Sequence, residues 1–108
     1  MTPDQAIGML DRQIDRHGSA VRIERGGVPH EVRGFPRQYK PDEISEGIMQ
    51  GDSQVVISPS GLVGSAFAAE PPHRGDFVVM FGRRRHVENV ELVYVADVLV
   101  RLNMQVRG

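Results

Sequence analysis

A chain of 108 residues supplies one domain, able to bury roughly 60–65% of its unfolded surface around a single core. Apolar residues at 40% and charged residues at 25% exclude wholesale disorder. Thirteen basic and fourteen acidic residues give a net charge of −1, which excludes a global attraction to nucleic acid or to an anionic membrane.

Twelve of the thirteen basic residues are Arg and only Lys40 is Lys. A guanidinium fork suits interfaces and phosphate, although a GC-rich genome biases the ratio in the same direction. The absence of cysteine removes disulfide scaffolds, thiolate zinc sites and thiol catalysis together. No apolar run reaches eighteen residues and the N-terminus lacks a basic-then-apolar pattern, so a soluble, cytosolic chain without membrane contact is expected. The apolar set is aliphatic, with fifteen Val against four Phe and two Tyr. Valine is β-branched and favours pleated surfaces, so composition alone leans towards strands.

The spacing predicts a helix over residues 2–17. Thr2-Pro3-Asp4-Gln5 gives an N-cap, a proline at the first helical position and a glutamine where a capping box needs one. Ile7, Leu10 and Ile14 then recur at helical spacing, and His17-Gly18 supplies a stop. From residue 20 the period becomes two. Val21 and Ile23 alternate with Arg22 and Glu24 up to the Gly26-Gly27 turn, and a weaker return strand carries Pro29 and Gly34. Residues 20–35 therefore read as a hairpin whose second strand lies at an edge.

Residues 36–52 fit no period well; a short helix over Ile44, Ile48 and Met49 is one reading, and the favoured one is a long mobile loop carrying Tyr39, Ile44, Ile48 and Met49. Strands resume over 53–107. Gln54–Ser58 is the first, and Leu62–Glu70 is small-residue-rich and ambiguous. Phe77–Phe81 and Arg84–Tyr94 follow, and Val98–Val106 alternates with Val98, Val100, Leu102, Met104 and Val106 on one face. The fold expected is a single, mainly β domain: a small curved barrel or sandwich of about six strands with one short N-terminal helix.

Chemistry is hard to place. His17, His30, His73 and His86 are widely separated and form no helical metal-binding pair. Ser58, Ser60 and Ser65 lack a nucleophile elbow, and neither a Walker A nor a dinucleotide fingerprint occurs. No acid, base and nucleophile set can be nominated, so no enzyme, metal or cofactor is expected. The densest positive cluster is Arg83-Arg84-Arg85, which reads either as a phosphate contact or as a solvated turn that guards a strand edge.

The order of elements carries a resemblance. A capped helix, a Gly-Gly hairpin and a long irregular segment precede QGDSQVVISPSGL, and PHRGDFVVMFGRRRHVENVELVYVADVLVRLNMQVRG follows. Over residues 20–108 this resembles the small head–tail joining proteins of long-tailed bacteriophages, the head-closure group that includes the lambda-type joining protein. The resemblance implies a non-enzymatic β-barrel located in the virion neck, and in the host cytoplasm during assembly. Such a protein is monomeric when free and assembles as a ring, expected to be a hexamer, between the portal or adaptor and the tail side with its terminator.

On that reading the partner-binding residues are Tyr39, Ile44, Ile48, Met49, Leu62, Val63 and Phe67. The segment Leu62–Glu70 lines or gates the channel, and Arg83, Arg84 and Arg85 face packaged DNA in the lumen or acidic partners. Two other readings compete: a nucleic-acid-binding module on a small barrel, and a tail terminator of the same neck region.

Overall fold

The computed structural model describes residues 1–39, 42, 48 and 51–108. The N-terminal helix, α1, spans Pro3–His17 and starts on a reciprocal capping box. The Gln5 amide donates to Thr2 Oγ1 at 3.1 Å, and the Thr2 amide donates to Gln5 Oε1 at 2.9 Å. Two amides that the start of a helix leaves unpaired are thereby satisfied. Gly18 ends α1 in extended rather than left-handed backbone. Close approach demands glycine there: a Cβ would lie 2.4 Å from the Ile14 carbonyl oxygen and 2.9 Å from that of Gly34.

Among the described residues six strands follow: β1 (Ser19–Arg25), β2 (Val28–Gln38), β3 (Ser53–Ile57), β4 (Phe77–Met80), β5 (Arg83–Val95) and β6 (Val98–Arg107). They close an antiparallel barrel in the order β1-β2-β3-β6-β5-β4, with β4 returning to β1. The fold is mainly β, as its composition and periodicity predict.

Strand β2 corrects two expectations. It runs through Pro36 to Gln38, so the irregular stretch begins later than residue 36. It is also interior to the ring of strands, yet each half has one partner: 28–34 pair with β1 and 35–38 with β3. Each half thus keeps one unpaired flank, which accommodates Pro29 and Pro36 although neither can donate. The rest of the expected 36–52 loop lies mostly outside the described residues.

The barrel interior is filled by alternate residues: Val21 and Ile23, Val55 and Ile57, Val78 and Met80, Val87, and Leu102, Met104 and Val106. Val56 points the other way and packs with Leu10, Ile14 and Phe35, so α1 lies on the outer face of the barrel. This explains the continuous apolar run of β3, which is covered on both faces. Burying the two α1 side chains contributes roughly 1.5–3 kcal/mol each, and it supplies the packing that a fifteen-residue helix needs.

Strand β6 departs from its expected single apolar face. Tyr94 pairs with Leu99 and Val93 with Arg101, so Val100 is an extra residue in β6. Leu99 packs against the barrel core, whereas Val100 is displaced to the α1 side, beside Met9 and Leu10.

The β5–β6 turn offers a direct test. Ala96 and Asp97 both have positive φ, 49° and 64°, as a two-residue hairpin turn that follows the strand twist requires. Alanine is poorly suited to that region. Ala96→Asn combined with Asp97→Gly is expected to stabilise the protein by about 1 kcal/mol, read as a higher urea midpoint at unchanged slope.

Candidate functional site

The connection from β3 to β4 contains a 3-10 turn at Pro59–Leu62 and a short helix, α2, at Ala66–Ala69. Ser58 Oγ accepts from the Ser60 amide and Ser65 Oγ from the Phe67 amide, capping both pieces. Leu62 and Phe67 insert into the barrel core and are buried. They therefore have almost no surface to offer a partner, and of the three residues expected there only Val63 is exposed. Tyr39 is half-buried with the Arg37 guanidinium 5.6 Å from its ring centroid, and Ile48 is half-buried. Ile44 and Met49 lie outside the described residues.

Two aspartates anchor the connecting segments. Asp76 accepts from Arg25 Nε at 3.0 Å and from Arg25 Nη2 at 2.7 Å, and also from the His73 amide at 3.0 Å. Arg25 further donates to the carbonyls of Glu70 and Pro71 and stands 4.5 Å from the Phe67 ring centroid. One guanidinium thus ties β1 to the whole connection. Asp52, just before β3, accepts from Arg107 Nε at 2.8 Å, Arg107 Nη2 at 2.9 Å and Gln105 Nε2 at 2.8 Å. That second clamp fixes the point where the chain re-enters the barrel. Both are planar bidentate pairs, the strong form of the ion pair.

The arginine cluster does not act as one surface. Arg84 donates to Glu24 at 3.0 Å and lies 3.6 Å from the Phe77 ring centroid, on the outer face shared with Arg22 and His86. Arg83 alternates away from it and donates to the Gly108 carbonyl. Arg85 is half-buried, and its Nε has no hydrogen-bond partner among the described residues. The four histidines are likewise dispersed. His17 meets Phe35, His30 reaches the Gly61 carbonyl, His73 sits by Glu70, and His86 packs on Phe77.

Two apolar features escape the sequence reading. Phe81 is 69% exposed at the tip of the β4–β5 hairpin, with φ 55°. At the other end of β5, Met9 and Leu10 of α1 face Val93, Val95 and Val100 across an open groove of about 320 Å³. The first had a signal in the sequence: Phe81-Gly82 separates two strands where Asn-Gly is the usual pair. The second had none, because the bulge at Val100 creates it.

No family model, no curated protein and no solved structure matches the chain. Among the described residues no helix is long and apolar enough to cross a membrane.

Proposed function

We propose that this chain is a structural neck protein of a tailed phage or prophage, joining the DNA-filled head to the tail as a ring beneath the portal or adaptor. The reading rests on the resemblance over residues 20–108. The observation that carries it furthest is a closed barrel with apolar surface left uncovered at both ends of its longest strand, at Phe81 and at the α1 groove. Apolar side chains left exposed in this way are available to another chain. The Asp52 and Asp76 clamps suit such a part, because they hold the barrel rigid where the connecting segments leave it.

The spread of Arg83, Arg84 and Arg85 over two sides of β5 gives less support to a phosphate-gripping module, which needs its cations on one surface. The test is electron microscopy of particles from the source phage or prophage with this gene deleted. Full or leaking heads beside separate, finished tails are expected. Intact, infectious virions overturn the proposal, and unattached tails of uncontrolled length assign the chain to the tail terminator instead.

A further inference from the structure

We infer that the α1 groove takes an acidic amphipathic helix from another protein. The inference rests on the neck reading above, in which this groove is a contact, and it names the chemistry of the partner.

The groove lies between α1 and the β5–β6 hairpin, with Met9, Leu10, Val93, Val95 and Val100 as its apolar lining. Met9 is 52% exposed, so the α1 wall still offers apolar surface. From Ala6 to Arg16 the groove and the depression that continues it run roughly 15 Å along α1, close to three helical turns. A second helix laid beside α1 presents apolar anchors at i, i+3 or i+4 and i+7 to a cleft of that length. A second copy has no such helix to lend. Among the described residues the only other α-helix is the four-residue α2, and the apolar edge of α1, Leu10 and Ile14, is already seated on its own barrel.

Charge selects an acidic helix. At about 3.6 residues per turn, the charges of α1 divide between two sides. Asp4, Asp11 and Asp15 lie on the side remote from the groove. There Asp11 and Asp15 line a separate depression with Ser58 and Arg33, and Asp11 accepts from Ser60 Oγ at 2.9 Å. Arg12 and Arg16 lie on the Met9 side and, with Gln13, line the continuation of the groove. Arg101 stands on the opposite wall, where its Nε donates to Asn103 at 2.7 Å and the Asn103 amide takes up Glu91.

Among the described residues no carboxylate lines the groove or its continuation, and none pairs with Arg12, Arg16 or Arg101. Three guanidiniums on two walls therefore border an apolar strip, the complement of apolar anchors flanked by carboxylates. An anionic bilayer matches the charge but not the shape. Membrane binding needs apolar residues that protrude, and these line a concavity.

The test is fluorescence anisotropy with two labelled peptides of about fifteen residues, titrated with the full chain. Each carries leucine on one helical face and alanine behind it, and the flanks are glutamate in one and lysine in the other. The glutamate peptide is expected to bind at about 10–100 μM, and the lysine peptide at least about tenfold more weakly. The preference is expected to fade between about 0.05 and 0.5 M salt. Arg12→Gln, Arg16→Gln and Arg101→Gln together bring the ratio of the two affinities towards one. Loss of fold lowers both affinities alike and leaves that ratio in place, so the ratio reads charge and not stability.

Equal affinity for the two peptides overturns the inference, as does no binding of either. Amide shifts on binding that fall outside α1 and the β5–β6 hairpin overturn it as well. Binding to phosphatidylglycerol vesicles without a preference between the peptides assigns the surface to a membrane instead. Self-association that the glutamate peptide does not reverse assigns it to a second copy. Peptide preference judges the groove and particle morphology judges the neck reading, so either can fail alone.

Discussion

Replacing Asp76 with asparagine is expected to lower the unfolding free energy by about 3 kcal/mol at neutral pH, read from a shifted urea midpoint at unchanged slope. The Asp76 side chain is 3% exposed and receives both donors of the Arg25 fork. Asparagine keeps the shape but leaves the guanidinium without a counter-charge, which is the costly way to break a buried pair. The same guanidinium holds Glu70 and Pro71 by their carbonyls, so the change reaches the entire β3–β4 connection.

The pH dependence has a definite sign. Burial alone pushes the Asp76 carboxyl up. The Arg25 hydrogen bonds, the His73 amide and the attraction of Arg25 outweigh it, leaving Asp76 below the ordinary carboxylate value. A carboxylate depressed in the folded state gives stability that is complete above its unfolded pKa, about 3.9, and is lost as pH falls through the folded value. The gap between parent and Asp76→Asn is therefore expected to narrow below about pH 4. A gap that stays constant down to pH 2 means that this carboxylate is not the group lost on acidification.

How much of this could be read from residues alone differs from element to element. The helix was legible to its caps because Thr2, Pro3 and Gln5 act over four adjacent positions, and local hydrogen bonds leave local signatures. Strand existence was legible for a similar reason, since a period of two survives wherever one face is buried. Closure was not. Pro29 argued for an edge, and the barrel resolves this by letting β1 take one half of β2 and β3 the other, a division no residue announces. The Val98–Val106 alternation misled because one bulge moves Val100 to the opposite face, and a bulge is set by the partner strand.

The candidate site shows the same division. Arg83-Arg84-Arg85 was conspicuous as a run, but strand alternation sends its members to different sides and Glu24 takes up Arg84. Adjacent positions in a strand are a poor guide to a shared surface. Both aspartate clamps bridge distant positions, 51 residues apart for Arg25–Asp76 and 55 for Asp52–Arg107. Long-range partners of that kind have no spacing rule to reveal them.

Truncating Phe67 to alanine is expected to cost about 3–5 kcal/mol of stability, and it separates a core role from a partner-contact role for the β3–β4 connection. Phe67 is 3% exposed within the barrel core, and its ring carries the Arg25 guanidinium on one side and His30 at 6.1 Å on another. Alanine leaves a cavity beneath the guanidinium and removes the surface it stacks on, so the loss exceeds simple transfer of a side chain to water. Val63, four residues earlier and 76% exposed, is the control, because Val63→Ser is expected to stay within about 0.5 kcal/mol of the parent. Urea unfolding of both variants decides the matter. A Phe67→Ala chain as stable as the parent would return Phe67 to the surface and free this segment for a partner contact. The expected loss instead makes the connection a fixed plug of the barrel, and directs the search for assembly contacts to Val63, Phe81 and the α1 groove.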